Sequence, residues 1–544
     1  MYLGHDLGTG GDKAVLINGD GGVVAEAFHA YGLDHPRPGW AEQDPARFWE
    51  AVCATTRAVL AQAGCDPADV AGVGYAGQML TMVPLDADAV PTRKAISWLD
   101  ARATDEAARI TRRLGGARLV KLAVGAVPSA KDVVAKWSWI RRNEPAVWAR
   151  TVALTDATGY LVARSTGVVC ADHTAGGGTG MMNRTRRTWS RPLLFASGMA
   201  SLRSQAKLPT LRGCTEVVGG LTAQAAFDLG LVPGTPVVAG VGDVPAAQVG
   251  SGAVLPGAAH VCLGTSAWLC VTTSSVADIA ANGVYSLPAA DLSTFATVGE
   301  METAGECLDW LAALLGPSSA PGDVAGPTDG GIAGVGIAGV GPTDGGIAEG
   351  GIADGGIADG VGALMAVAAE APPGCDGLTF APWLFGERAP VNDTSLRGAL
   401  LGVSLEHTRA HVVRAVLEGV AHNLRWLVEV MADHGIAPTR LRVIGGGVRS
   451  DLWMQIIADV TGLVVDTVDH PQYAGARGAA LLAAVGTGAL GSLAEVAGLT
   501  HVAATFHPDR SVAAVHDRGH RAFRAALPAA QAHARVLRSH PGAW

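Results

Sequence analysis

The sequence predicts an α/β protein of two large, related domains. Three observations carry this expectation. Leu-Gly-Thr occurs twice between apolar runs, as Leu7-Gly8-Thr9 and as Leu263-Gly264-Thr265. Each copy reads as strand, tight glycine turn, strand, a hairpin whose tip offers backbone N–H groups and a hydroxyl. The chain has 544 residues, too long for a single core. Finally, β-formers follow the first glycine turn, where a Rossmann or P-loop unit would place a helix. The stretch from Gly8 to Lys13 also lacks the Gly-Lys-Ser/Thr ending of a Walker motif. Two such hairpins, about half a chain apart, suggest related halves facing one nucleotide.

The elements follow in order. A strand over 2–5, the glycine turn and a strand over 13–18 form the first hairpin. Asn18-Gly19-Asp20-Gly21-Gly22 turns the chain into a third strand from Val23. Asp44-Pro45 starts a helix, with aspartate as cap and proline in the first turn, and Phe48, Trp49 and Val52 recur at helical spacing. Short strands over 70–74 and 237–241 end at Ala76-Gly77-Gln78-Met79-Leu80 and at Gly242-Asp243. A boundary near 250–256 divides the chain into domains 1–250 and 251–544. Residues 317–360 repeat Gly-Ile-Ala-Asp-like units with almost no large apolar side chains, which predicts a disordered insertion. A long helix over 411–434, a strand over 441–444 and Gly445-Gly446-Gly447 lead to a helix carrying Trp453, Ile456, Ile457 and Val460 on one face.

Composition limits the function. The chain is 49% hydrophobic and 16% charged, with a formal net charge of −9, and nothing in it suggests a nucleic-acid surface, which would need clustered Lys and Arg. Eight cysteines are scattered without a Cys-x-x-Cys pair, as in a reducing cytoplasm. Asp6 interrupts any signal-like stretch at the N-terminus. The longest apolar segment, 479–490, is short and broken by glycine, a buried helix rather than a membrane span. A cytoplasmic enzyme is expected.

Several residues carry chemistry. Asp6 ends a strand beside the first glycine turn, and a carboxylate next to a phosphate cradle makes sense if Mg²⁺ lies between them. Lys13 lies across the hairpin, where its ammonium could reach a phosphate. An ordinary surface hairpin with an edge lysine is the alternative, which the second Leu-Gly-Thr-Ser at 263–266 disfavours. Asp243 closes an apolar strand and reads either as a helix cap or as a general base taking a proton from a substrate hydroxyl. Gly445–Gly447 would let backbone approach a ligand before a helix N-terminus, although a plain loop fits as well. Trp98 with Asp100, and Gln78 with Met79, are candidate sugar contacts.

Together these segments resemble the FGGY family of carbohydrate kinases over nearly the whole chain. The matching stretches are Met1 to Thr9 with Lys13, Gly39 to Pro45, Ala76 to Met79, Gly242-Asp243 and Leu263 to Ser266. Further on, Gly386-Glu387-Arg388, Ala415 to Gly419, Gly445 to Ser450 and Gly475 to Ala480 also match. The resemblance implies two actin-like (ribonuclease H-like, ASKHA superfamily) domains with the active site in the cleft between them. It implies ATP and Mg²⁺, with Asp243 as base and Asp6 and Asp243 at the metal. Gly8, Thr9, Gly10, Lys13, Gly264 and Thr265 would attend the phosphates, and Gly446, Gly447 and Ser450 the adenosine side. Gln78, Met79, Leu80, Trp98, Asp100 and Asp243 would line the sugar site. Expected partners are a small sugar and ATP, with no nucleic acid and no membrane; a homodimer is one expected assembly.

Within the family the resemblance is closest to members that phosphorylate D-xylulose at its 5-hydroxyl. Those members typically carry Gln-Met-His, Trp-Asn-Asp and Asp-Asn where this chain has Gln78-Met79-Leu80, Trp98-Leu99-Asp100 and Asp243-Val244. Three polar-to-apolar changes around one pocket admit another ketose or polyol as substrate. Two rival readings remain. One is a non-kinase ATPase clamp on the same fold, which needs no base beside a sugar pocket. The other is a sugar-binding regulator without turnover, which the intact Asp6, Asp243 and Thr265 disfavour.

Overall fold

A computed structural model of the protein describes residues 1–118, 128–315 and 357–538. The predicted insertion lies mostly outside the described residues. Its last four residues, 357–360, instead open the helix Ile357–Ala368.

The first sheet has seven strands: β1 (Tyr2–Leu7), β2 (Gly11–Ile17), β3 (Val23–Ala30), β4 (Gly72–Gly77), β5 (Val217–Gly220), β6 (Pro236–Val238) and β7 (Val241–Gly242). Their order is β3-β2-β1-β4-β6-β5, with β7 also beside β4. β1 and β2 form the predicted hairpin, pairing Asp6 with Lys13, and β1 runs parallel to β4. The second sheet comprises β8 (Ala259–Leu263), β9 (Ala267–Thr273), β10 (Val284–Pro288), β11 (Phe295–Met301), β12 (Arg440–Ile444), β13 (Val464–Val468) and β14 (Val502–Phe506). Its order is β10-β11-β9-β8-β12-β13-β14.

Read outward from the two hairpins, the sheets repeat one pattern. In each, three antiparallel strands (β3-β2-β1 and β11-β9-β8) are followed by two parallel partners and a final antiparallel strand. The two halves therefore share an architecture, with one Leu-Gly-Thr hairpin at the equivalent place in each.

Helix α1 (Pro45–Ala63) starts as its sequence predicts. The Asp44 carboxylate accepts from the Ala46 N–H at 3.0 Å, Phe48, Trp49 and Val52 are buried, and Gly64 ends the helix in the left-handed conformation. Other helices that matter below are α2 (Val133–Asn143), α3 (Asp243–Gly250), α4 (Arg409–Ala432), α5 (Asp451–Thr461), α6 (Ala474–Gly486) and α7 (Ala513–Arg538). Among the described residues no helix is long and apolar enough to cross a membrane. Of the apolar segment expected over 479–490 as a buried helix, 479–486 lie in α6, which is buried from Ala474 to Ala484; the helix ends at Gly486, and 487–490 lie beyond it.

α6 joins the halves. It lies late in the chain yet packs on β1 and β4 of the first sheet and on α3. The approach is backbone to backbone. A Cβ on Gly4 or Gly74 would stand 2.0 Å from the carbonyl oxygen of Ala476 or Ala479. One on Gly250 would stand 1.7 Å from that of Ala474, and one on Gly478 2.0 Å from that of Ala246. The glycine–alanine composition of α6 is thus a packing requirement of the joint. Arg477 secures it by donating to the carbonyls of Gly21, Gly250 and Leu499.

Candidate active site

The two carboxylates expected to carry chemistry sit at one end of the first sheet. Asp6 is near the end of β1, and Asp243 directly follows β7. Because β1 and β7 flank β4 on opposite sides, two strand spacings separate them, roughly 10 Å. Asp6 is half-buried, and burial is the main reason its pKa is raised; Lys13 opposes that rise and Asp12 adds to it. Gly475, in the first turn of α6, faces this carboxylate: a Cβ there would lie 2.2 Å from its Oδ2.

Asp243 is the first residue of α3, and Gly242 occupies the cap position. Asp243 Oδ1 accepts the N–H of Val244 at 2.8 Å. The capping alternative therefore does not describe this side chain. The turn is held from behind, where the Gly242 N–H donates to Thr174 Oγ1 at 2.7 Å and Thr174 is bonded to Asp172. Gly242 has no room for a Cβ because Met79 Cγ would be 2.6 Å away, so Met79 lies directly against the turn that presents Asp243.

The glycine hairpins are closed loops. The Gly8 N–H donates to the Gly11 carbonyl at 2.9 Å, the Tyr31 N–H to Gly10, and the Tyr31 hydroxyl to the Gly8 carbonyl. The Gly264 N–H donates to Ser266, and the carbonyls of Gly264 and Thr265 accept from Gly305 and Ala304. The expected row of N–H donors is thus partly consumed within the turns themselves. Gly445 and Gly447 lie on Leu263 at the end of β8, where any Cβ would collide, while Gly446 faces open space. The Gly445 N–H donates to Pro471, which links this loop to the start of α6 and so to Asp6.

Four expected ligand contacts also bond within the protein. The Thr9 hydroxyl, 2% exposed, accepts from Trp98 Nε1 at 2.8 Å, and its carbonyl accepts from Gln43 Nε2. The hydroxyl lies on the Trp98 and Gln78 side of the hairpin. Ser450 caps α5, its Oγ accepting from the Trp453 N–H at 3.2 Å. Asp100 is fully buried and accepts from Arg102 and from the Ala41 N–H at 2.6 Å, so it supports the pocket from within. Gln78, 2% exposed, likewise donates to Gln43.

The apolar departures pack. Val244 is buried with Cys270, Ala296 and Val298, against which Met79, Trp268 and Tyr285 lie. Leu80 has φ of 62° and packs beside Met82, Ile96 and Trp137. Its carbonyl and that of Ser97 accept from Lys136 Nζ, at 3.2 and 2.7 Å. Lys136, on α2, is completely buried and ties both sugar-side loops together.

The structure adds a group across the cleft. Lys131 Nζ stands 6.0 Å from the Trp98 ring. Burial, and then the Arg388 guanidinium, hold its pKa down against Glu302 and Glu300. Arg388 is paired with Glu300 and Glu302, Tyr285 donates to Glu300, and Asp243 acts electrostatically on Tyr285. Glu387, buried and bonded to Asn423 and to the Glu302 N–H, holds this loop in place. Residues from both halves therefore surround one space beside Asp243. Lys131 has no local signal in the sequence. Arg388 lies in a motif whose partners are 86 and 88 residues away. Lys136 does have a signal, a lone lysine in the apolar run Val133–Ile140.

Burial brings the Lys136 pKa down to about 7, against Asp100 and Asp132, which raise it. An unfolded lysine titrates near pH 10.4, about the usual value. From about pH 7 upward the unfolded chain therefore holds a proton that the folded chain has released, and this group adds stability as the pH rises toward about 10. Lys136→Met removes that gain. The melting temperature of the wild type, relative to the variant, is expected to rise across this window; parallel profiles would contradict it.

Two actin-like α/β halves, each bringing a glycine hairpin to a shared cleft with a strand-end carboxylate, define a class: the two-domain kinases that phosphorylate carbohydrates from ATP. Comparison with known proteins agrees. Residues 1–250 match the N-terminal domain of the FGGY family of carbohydrate kinases and residues 259–487 its C-terminal domain. The chain belongs to the FGGY family. A xylulose kinase of Escherichia coli (strain K12) is 31% identical over 496 residues, spanning 91% of this chain and 92% of its own. A gluconokinase of Bacillus subtilis (strain 168) is 25% identical over 91% of this chain and 89% of its own. The crystal structure of a xylulose kinase from Rhodospirillum rubrum superposes with a TM-score of 0.81 at 29% identity, covering 98% of this chain and 99% of that one.

Proposed function

We propose that this kinase transfers the γ-phosphoryl group of ATP to the 5-hydroxyl of D-xylulose. The observation that carries the reading is the placement of Asp243, presented by a braced turn into a space lined from both halves, with Met79 packed on that turn. In this reading the Asp243 carboxylate takes the proton of the sugar hydroxyl. The hydroxyl oxygen attacks the γ-phosphorus in line, and the bond to the ADP oxygen breaks. Trp98, fixed by its bond to Thr9, offers the sugar an apolar face. Lys13 and the hairpin backbones stabilise charge on the phosphates.

A hard dication fits the residues present. Asp6 is a half-buried carboxylate at the phosphate end of β1, burial raises its pKa, and oxygen is its only donor type. Asp6 and Asp243 would hold Mg²⁺, which when bound neutralises phosphate charge.

Lys131 favours a second reading within the same chemistry. A half-buried ammonium beside Trp98 suits an acidic sugar such as gluconate. Coupled ADP release across D-xylulose, glycerol and D-gluconate separates these readings. The highest kcat/KM is expected for D-xylulose; a higher value for gluconate would transfer the assignment to the sugar acid.

A further inference from the structure

The second half contains a cluster of metal-ligating side chains that the cleft chemistry does not use. Helix α4 carries Glu418 and His422 one turn apart on the same face, and α7 brings His516 against them. One donor atom from each lies within 4.8 Å of the others, and the three residues are 4%, 4% and 1% exposed. We propose that Glu418, His422 and His516 bind one borderline first-row dication of the zinc class, fastening α7 to α4.

Unmet bonding capacity supports this. Both ring nitrogens of His516 and Nδ1 of His422 are buried without a hydrogen-bond partner. Buried polar atoms are almost always partnered, and an unseen ion or water is one of the few explanations for such a group. The neighbouring glycine also fits. A Cβ on Gly519 of α7 would lie 3.1 Å from His422 Nε2, so glycine keeps space beside that nitrogen. Glu418 is oriented by outer contacts, accepting from Arg414 Nε at 2.7 Å and from the Gly374 N–H at 3.1 Å. Outer-shell bonds of this kind fix ligands for a metal.

The donor set selects the cation. Two imidazoles and a carboxylate suit zinc or its neighbours, whereas Mg²⁺ prefers an all-oxygen shell with retained water. Ligand bonds of about 2.0–2.2 Å require only that the side chains close inward slightly. α7 begins beyond residue 487, where the family match ends, so one ligand comes from a helix outside the matched region.

The test uses the untagged full chain, stripped with a chelator and then given Zn²⁺ or Co²⁺. After gel filtration about one equivalent of Zn²⁺ should remain per chain, as for a structural site. Co²⁺ should give the absorption of a low-symmetry nitrogen/oxygen site. Zn²⁺, but not Mg²⁺, should raise the melting temperature and slow hydrogen exchange over 513–538. His516→Gln should retain at least about tenfold less Zn²⁺, because one of only three protein ligands is lost. If that variant does not fold, the stripped and reloaded wild type decides alone. Failure of the wild type to retain zinc, or equal retention by His516→Gln, would overturn the proposal and leave buried water as the partner of these rings.

Discussion

Asp243→Ala should lower kcat by about 10²–10⁴, the usual contribution of a general base. Binding of the sugar should largely survive, because Met79, Trp98 and the Tyr285–Glu300 pair remain in place. Calorimetry would follow binding, and coupled ADP release would follow turnover. The fold should tolerate the change. Asp243 is not the cap of α3, and its carboxylate accepts from the N–H of its own neighbour, Val244. A variant that keeps more than about a tenth of the wild-type rate would remove Asp243 from the chemistry.

Gly475→Ala should be nearly as damaging, although it adds only a methyl group. That methyl group would stand 2.2 Å from Asp6 Oδ2 and 2.6 Å from its Cγ, so the carboxylate has to turn aside. Misplacing a site group by about 1 Å can cost roughly 10²-fold in rate. Stability should change little, because alanine favours a helix over glycine by about 0.5–1 kcal/mol and the clash is with the movable end of a side chain. The expected result is a near-normal melting temperature, with kcat about 10² lower and the Mg²⁺ titration shifted upward. Wild-type turnover with an unchanged Mg²⁺ titration would show that the position of Asp6 does not matter.

The sequence made the fold legible where local chemistry decides it. Alternating apolar residues around Leu7-Gly8-Thr9 and Leu263-Gly264-Thr265 fix two hairpins, and Asp44-Pro45 fixes the start of α1. The repeat of the whole sheet pattern follows from those hairpins. α6 could be read as buried, but not why it needs glycine, since its contacts at Gly4, Gly74 and Gly250 come from distant segments. The candidate site was legible mainly as positions on the chain. Asp6, Lys13, Met79 and Asp243 lie where the motifs put them, at strand ends and on the hairpin. The orientations of Thr9, Asp100 and Ser450 were not legible. Trp98 claims the Thr9 hydroxyl from 89 residues away, and the capping bond of Ser450 is made by local backbone geometry. Lys131 meets Arg388 only because the two halves close on one cleft, which no periodicity encodes.

The same cleft distinguishes a sugar kinase from an ATPase clamp. A clamp needs the phosphate hairpins but not the Met79 and Trp98 side of the site. The most direct test is ADP release from the wild-type protein with Mg²⁺ and ATP, measured with and without D-xylulose while the phosphorylated sugar is quantified. The account predicts ADP formation that depends on the sugar and is matched mole for mole by sugar phosphate. ADP formed at the same rate without sugar, with free phosphate as the product, would contradict it.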